Sequence, residues 1–582
     1  MWCKATFSEY TCQKKNKTSY TMKKLSLLTL LLLSSALAFG QLTLAVDSLA
    51  VNTLKLAVFA DGGLRNVETA DSSKSLLFTQ HLWIGGYDKG NNLHQSYETY
   101  RQGNLGYTPG PISNNPNAYL NYNRLYKVSQ QDVAAVVNSA GSNVPQSVAD
   151  WPAHGDTTQG EAWFLAPFVD TDNNGVYNPS SGDYPAIKGD VAIFSMFNDS
   201  ILVANNGLGI EVHSMTYAYN TGTIQDSIVY TDYRIINRSI RDYHDAYMGV
   251  FADFDLGNPT DDIVGTNINA NAVFSYNADN DDERANGGFG NRPATAGIRV
   301  LAGPKADIFD GLDNDKDGCI DGVRNAQGIC ITEDSILGIR ERISLSGSMY
   351  FQNNATSMGN PDSAQGHYNY LNSKWKDGMP LIMENPSGFQ SAANGDGYVQ
   401  TGLGAPTVFM FPGNSYDSVG AYEPSSPINW YCSPVLSGGD LRSMANMGPF
   451  SLKAGEETML QTALIWARAK AGSTGYDLIN KKLENLKQYA SNQPSNPFSL
   501  HHIAPPKEFN YYYQNDEWFV TNSEKTPLSF NILNLQGQLV NSFTIDGQTN
   551  GQTNGQIPLA SLPHGIYLIQ LPGSNQTFKV LK

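Results

Sequence analysis

Ser227-Ile-Val-Tyr-Thr-Asp-Tyr-Arg-Ile-Ile236 decides the fold. Its β-branched and aromatic residues, interleaved with polar ones, predict a strand. Val191-Ala-Ile-Phe-Ser-Met-Phe197 reads the same way, and from Gln41 to about Lys470 such segments alternate with turn clusters. Composition agrees. The chain has 582 residues with 54 Gly and 31 Tyr, is 41% hydrophobic and only 16% charged, a balance that favours strands, turns and long loops. Polar stretches such as 353–363 and 385–397 are too long for a minimal sandwich, so the expected body is large, elaborated and mainly β. At roughly 100 to 200 residues per unit the length predicts three or more units.

One late helix is expected over 475–490, where Leu478, Ile479, Leu483, Leu486 and Tyr489 recur at helical spacing among Lys and Glu. The breaker-rich stretch 491–506 then reads as a linker. Beyond it, 518–520, 528–535, 538–545, 565–571 and 577–581 read as short strands, which predicts a small C-terminal Ig-like β-sandwich over 507–582. The tandem polar repeat from Gly547 to Gln556 reads as an extended hairpin loop.

Met22-Lys23-Lys24 ahead of the apolar run Leu25 to Ala38, with Ala38-Phe39-Gly40 before Gln41, has the form of a secretory signal peptide over 22–40. The apolar run is shorter than the ~20 residues a spanning helix needs, so no transmembrane helix is expected in the mature chain. Residues 1–21 read as an extension upstream of the true start. The formal charge is −16, and residues 1–40 carry six Lys and one Glu, so their removal makes the protein more acidic still. That charge excludes nucleic acid as a partner and favours cations. Of the cysteines beyond Gln41, Cys319 and Cys330 are spaced to close a small disulfide loop in an oxidising compartment. Cys432 reads as a buried thiol.

Three tail motifs carry a family resemblance: Ile532-Leu-Asn-Leu-Gln-Gly-Gln-Leu-Val540, Leu562-Pro-His-Gly-Ile-Tyr-Leu-Ile-Gln-Leu571 and Phe578-Lys-Val-Leu-Lys582. Together they resemble the type A C-terminal sorting domain of the Bacteroidetes type IX secretion system. The resemblance implies a β-sandwich over 507–582 that is read by the type IX translocon and removed on delivery. It implies that the protein is secreted or held at the outer-membrane surface. It singles out Gly537, Leu562, Pro563, Gly565, Tyr567, Lys579 and Lys582, with the two glycines at turns that need freedom in φ. The family's usual Asn-Pro first strand is replaced by Phe509-Asn-Tyr-Tyr-Tyr513. Leu82-Trp-Ile-Gly-Gly86, Asn92-Leu-His94, Thr99-Tyr-Arg-Gln102 and Ala252-Asp-Phe-Asp-Leu-Gly257 resemble segments recurring in other secreted Bacteroidetes proteins, and imply no particular activity.

Two acidic loops carry the chemistry of the body. Asp170, Asp172 and Asn174 stand at positions 1, 3 and 5 of an EF-hand-type loop, with Gly175 at 6 and the Val176 carbonyl at 7. Ser181 occupies position 12, so Asp183 is the expected closing ligand. Asp313, Asp315, Asp317 and Asp321 stand at positions 1, 3, 5 and 9 of a second loop, with Gly318 at 6 and the Cys319 carbonyl at 7. Carboxylates so crowded repel one another without a cation, and both loops are read as structural Ca2+ sites. The acids at 253, 255, 261, 262, 279 and 281–283 are less diagnostic.

No His-Glu-x-x-His helix, Gly-x-Ser-x-Gly elbow or Walker loop is present. Trp83, Trp163, Tyr97 and Tyr100 are candidates for sugar stacking, although core packing is the commoner explanation of such aromatics in a β-rich protein. Asp followed by Ser or Thr at Ser48, Thr157, Ser200, Ser227, Ser335, Ser363 and Ser418 resembles the Bacteroidetes O-glycosylation sequon. These readings converge on an exported, calcium-stabilised surface protein that adheres to a polysaccharide or matrix ligand. The alternative is a secreted hydrolase of polysaccharide or protein, for which two convergent carboxylates would be required.

Overall fold

The computed structural model describes residues 43–100, 106–199, 207–325, 328–334, 339–383, 389–390, 405–413, 430–432, 440–490, 509–514, 517–522, 528–533, 539–545, 553–559, 562, 566–570 and 577–581. The expected signal segment, the 491–506 linker and the 385–397 loop lie outside them, except for Phe389–Gln390, which is a short strand. The protein is mainly β.

Ile228–Asn237 is buried at every residue, as is its neighbour Ile210–Ala218. Full burial requires both faces of a strand to be covered and every backbone group to be paired. Ile228–Asn237 meets that demand by pairing antiparallel with Ile210–Ala218 on one side and Glu457–Arg468 on the other. The sheet they share runs Asp262–Asn267, Ala272–Asn277, Ala294–Ala302, Glu457–Arg468, Ile228–Asn237, Ile210–Ala218, Val191–Asn198 and Thr108–Pro109, with Tyr126–Ser129 also joined to Val191–Asn198. The buried Asp232 carboxylate in its middle is answered by Lys188 Nζ at 3.0 Å.

A second large sheet runs Val46–Leu49, Leu54–Phe59, Leu64–Thr69, Ser75–Asp88, Tyr243–Asp253, Leu441–Leu452 and Gly347–Gln352, with Leu93–Ser96 added to Ser75–Asp88. The segment from Leu441 to Arg468 therefore places one strand in each large sheet. Side chains from both sheets meet in one contiguous core that runs through the chain from Leu49 to Leu486. Trp83, Phe251, Phe351 and Tyr370 form its aromatic centre, with Phe251 stacked between Trp83 (5.3 Å) and Phe351 (5.9 Å).

The expected late helix is present as Tyr476–Ala490, and it buries Ile479, Leu483 and Leu486 against the first of these sheets. Among the described residues two further helices of eight residues or more are present. Gln130–Ser139 opens with a capping box between Ser129 and Asp132, and Ala364–Leu371 is capped by Ser363 and packs on the second sheet.

The tail has its own core of Phe530, Ile532, Ile545, Ile557, Leu559, Tyr567 and Ile569. Its four-stranded sheet runs Leu539–Ile545, Leu528–Leu533, Ile566–Gln570, Thr577–Leu581, and its three-stranded sheet runs Phe509–Gln514, Glu517–Asn522, Thr553–Gln556. The polar repeat is thus corrected in part: Thr553–Gln556 is a strand paired with Glu517–Asn522. Backbone pairing there does not depend on an apolar pattern, and the short segment shows none. Phe509–Gln514 pairs with Glu517–Asn522 and so supplies the first strand despite its unusual sequence.

Removing the ring of Phe251, which is fully buried, should lower stability by about 3–5 kcal/mol in Phe251→Ala, read as a drop in urea midpoint at unchanged slope. The exposed Ile240→Ala change should stay within about 0.5 kcal/mol of wild type.

Candidate functional site

The two acidic loops, 143 positions apart in the chain, fold by the same local bonds. In the first, Asp170 Oδ1 and Asp172 Oδ1 both accept the Asn174 N–H at 3.2 Å, Asp170 Oδ2 accepts the Gly175 N–H at 2.7 Å, and Asn174 Oδ1 accepts the Val176 N–H at 2.7 Å. In the second, Asp313 Oδ1 and Asp315 Oδ1 accept the Asp317 N–H at 3.0 and 3.1 Å. Asp313 Oδ2 accepts the Gly318 N–H at 2.9 Å, and Asp317 Oδ1 accepts the Cys319 N–H at 2.8 Å. The backbone is left-handed at the same places, Asn173 (φ 58°) and Gly175 (76°) against Lys316 (60°) and Gly318 (89°). Glycine at position 6 makes that second left-handed residue possible without strain. Each loop gathers three carboxylates whose nearest oxygens lie within 4.8 Å of one another: Asp170, Asp172 and Asp183, and Asp313, Asp315 and Asp317.

The loops differ in how they close. Asp183 is fully buried and accepts the Thr171 N–H and hydroxyl on one oxygen and the Asn178 N–H on the other, which anchors it beside Asp170. The second loop has Arg324 at position 12, and its expected ninth-position acid is used otherwise: Asp321 Oδ1 accepts the Gly311 N–H at 2.8 Å and stands outside the convergent set. Cys319 and Cys330 form the expected disulfide, with Cα atoms 5.6 Å apart, and the strand pair Gly322–Arg324 with Cys330–Thr332 continues that brace.

Glu341 was not among the residues singled out in the sequence. It is wholly buried, and neither carboxylate oxygen accepts a hydrogen bond of ordinary geometry. Burial, reinforced by the charges of Asp315, Glu333 and Asp313, pushes it up to about 8, with the Asn314 side chain opposing slightly. Burial and Asp317 likewise push Asp315 up to about 6. A buried carboxylate so poorly hydrogen-bonded beside three more is costly unless a cation joins them.

A third acidic group lies where strands of the second sheet end. Asp253 is opposite both Thr79 and Arg442 in the strand register, and Asp255 follows two residues on. Asp440 completes a set whose nearest carboxylate oxygens again lie within 4.8 Å. Tyr100 donates its hydroxyl to Asp253 Oδ2 at 2.8 Å and accepts from Arg442 Nε at 2.6 Å. Arg442 also pairs with Asp440 at 2.8 Å, and the Asn353 amide donates to Asp440 Oδ2 at 2.7 Å. Asp253 Oδ1 is buried without a partner. Burial pushes Asp253 up to about 6, with Arg442 and Tyr100 opposing, and pushes Asp255 up to about 7 with help from the Asp253 and Asp440 charges. These residues line an open cavity of about 970 Å3 together with Phe78, Asn360 and His367.

The neighbouring acids serve the backbone. Asp262 accepts the Leu256 N–H, and Asp282 accepts those of Asn258 and Phe289. Trp83 and Tyr97 are occupied by packing, Trp83 fully buried and Tyr97 stacked on His367 at 3.6 Å, whereas Trp163 is exposed and stacked on His154. Cys432 is buried, which pushes its thiol up to about 12 and makes it a poor nucleophile. Ser48, Thr157 and Ser363 are exposed and Ser227 is half-buried, while Ser200, Ser335 and Ser418 lie outside the described residues. Among the sorting-motif residues, Tyr567 is buried in the tail core, Leu562 packs against it and Lys579 lies on the last strand. Gly537, Pro563, Gly565 and Lys582 lie outside the described residues.

Comparison with known proteins assigns the tail. Residues 514–582 match the secretion system C-terminal sorting domain family. The chain is therefore exported by the type IX route of Bacteroidetes and is secreted or displayed at the cell surface, with cleavage of the C-terminal domain. No helix among the described residues is long and apolar enough to cross a membrane. No curated protein matches the chain. Among solved structures, a single mutant of a thermostable endoglucanase from Alicyclobacillus acidocaldarius aligns over 13% of this chain and 15% of its own, at 18% identity and TM-score 0.11. A polysaccharide lyase aligns over 64% of this chain and 34% of its own, at 8% identity and TM-score 0.16.

His367, on the cleft wall, is held by a contact with the Ser363 carbonyl, and burial lowers its pKa to about 4 although Ser363 and Asp362 oppose the shift. The folded state thus binds fewer protons than the unfolded state below pH 6.5. This contribution to stability is intact above pH 6.5 and is lost as pH falls towards 4. Between pH 7 and pH 5 the wild type should lose about 2 kcal/mol more than His367→Gln, measured by denaturant unfolding at each pH.

Proposed function

We propose that the body is a calcium-braced binding protein of the cell surface or its surroundings, with a surface polysaccharide or matrix component as its ligand. In this reading the leader is removed before Gln41 and the tail serves only as an address. The body that remains is strongly acidic and works where calcium is plentiful. One observation carries the proposal: two loops far apart in sequence share the same hydrogen bonds and left-handed residues, and each gathers three carboxylates about one point. Hydrogen bonds from positions 5 and 6 tie down the position-1 carboxylate and hold it ready for a cation, so little ordering remains to oppose binding.

All the side-chain donors are oxygen, which selects a hard cation, and an irregular set of carboxylate and carbonyl oxygens suits calcium over magnesium, which demands near-octahedral geometry. In the second loop Glu341 supplies the carboxylate that Arg324 cannot. Its position 28 residues after Asp313 explains why loop spacing alone does not reveal it.

Calcium bound only to the folded state adds stability by mass action, about 2.7 kcal/mol per site at a hundredfold excess over the dissociation constant. EDTA should therefore lower the melting temperature of the purified protein by several degrees, and added CaCl2 should restore it. Glu341→Gln should raise the melting temperature in EDTA, because it removes a carboxyl that has to take up a proton to be buried without a cation, and should shrink the gain from calcium. Equal melting of the wild type with and without EDTA would contradict the proposal.

A further inference from the structure

We infer that Asp253, Asp255 and Asp440 form a third divalent-cation site, one whose open side faces the cleft and takes the oxygens of a saccharide. The cation half of this inference stands on its own geometry. The ligand half rests on the binding function proposed above.

Three carboxylates converge within 4.8 Å, and Arg442 pairs with two of them, while Arg65, also in the cavity lining, is paired with Asp61. Two negative charges are left over. Arg442 engages Asp253 Oδ2 and Asp440 Oδ1, so it fixes those carboxylates from one side. Asp253 Oδ1 remains, on a side chain only 2% exposed, with no hydrogen-bond donor. Burying such an oxygen beside two other carboxylates is unfavourable unless a proton or a cation lies between them. The strand register makes the arrangement rigid, because Asp253 and Arg442 are cross-strand partners and Tyr100 bridges them.

This group differs from the two loops in what surrounds it. This set lines a cavity of about 970 Å3, the size of a ligand pocket and larger than the one of about 540 Å3 that Asp313 of the second loop lines. Hard oxygen donors again select calcium or a similar ion, which takes six to eight oxygens. Three carboxylates leave several of those positions for water or for a ligand in the cavity. The rest of the lining suits a sugar: Phe78 is 47% exposed and offers an aromatic face, and Asn353 and Asn360, linked to Asp440 and to each other through their Nδ2 groups, add a polar wall. A cation with free positions would bind vicinal hydroxyls or a uronate carboxylate.

The test is calorimetric titration of the purified protein with CaCl2 alone, repeated on Asp255→Asn/Asp440→Asn and on Asp170→Asn/Asp313→Asn. The near-isosteric changes preserve volume, and a cooperative melt confirms folding in each case. The wild type should bind three ions, the cleft variant two and the loop variant one. Terbium bound to the loop variant should retain at least two waters by its luminescence lifetimes in H2O and D2O, and excess D-galacturonate should displace them. A cleft variant that binds as many ions as the wild type would overturn the cation site, as would a loop variant that binds none. Waters that galacturonate and methyl α-D-mannoside both fail to displace would overturn the saccharide assignment. If instead the loop variant keeps one ion while the cleft variant binds none, the calcium-loop reading fails and the cleft site stands.

Discussion

Everything in the body depends on the segment from Leu441 to Arg468, because its two strands are inserted into different sheets. Leu441–Leu452 pairs with Tyr243–Asp253 and Gly347–Gln352, and Glu457–Arg468 pairs with Ile228–Asn237 and Ala294–Ala302. Until this segment arrives, four long strands have an edge of unpaired backbone groups, a state that buried strands cannot tolerate. The pairing spans some two hundred residues, so formation of the core waits on contacts that are distant in sequence. One registration sets both packing and chemistry: it places Arg442 opposite Asp253 and brings Asp440 to the cleft.

The second organising constraint is charge. A chain this acidic has to separate, pair or neutralise its carboxylates. Asp232 is paired with Lys188, Asp262 and Asp282 are turned to backbone N–H groups, and Asp253 is held by Tyr100 and Arg442. Among the described residues, carboxylates converge in threes at three places: the two loops and the cleft. There the carboxyls of Asp315, Glu341, Asp253 and Asp255 are all driven above the ordinary carboxylate range, burial being the largest cause in each case. A cation at each place would offset that cost by pairing with the buried carboxylates. Export into a calcium-containing, oxidising environment fits both the loops and the Cys319–Cys330 bridge.

Local chemistry was legible in the sequence and distant chemistry was not. Asp170 to Val176 and Asp313 to Cys319 declare themselves because their bonds run between neighbours, and the glycine at position 6 marks the left-handed turn. Tyr476–Ala490 is equally local: Ile479, Leu483 and Leu486 of its apolar stripe are buried, whereas Leu478 stays exposed. Glu341 and Asp440 carry no such mark, since their partners are remote in the chain. Gln130–Ser139 could have been found from the Ser129–Asp132 capping box, which the surrounding β-rich text obscured. Ile228–Asn237 was recognisable as a strand, but only the structure shows that both its faces are covered. Thr553–Gln556 shows the opposite limit: a polar repeat reads as loop, yet backbone pairing alone makes part of it a strand.

The most direct test of the central claim, that calcium balances the carboxylates gathered in the two loops, is anomalous diffraction from crystals grown in CaCl2 without further metal. The account predicts an anomalous peak within about 2.3–2.6 Å of oxygens from Asp170, Asp172 and Asp183, and a second beside Asp313, Asp315 and Asp317 with Glu341 as a ligand. Ordered water without anomalous signal at both loops, in crystals holding millimolar calcium, would contradict it.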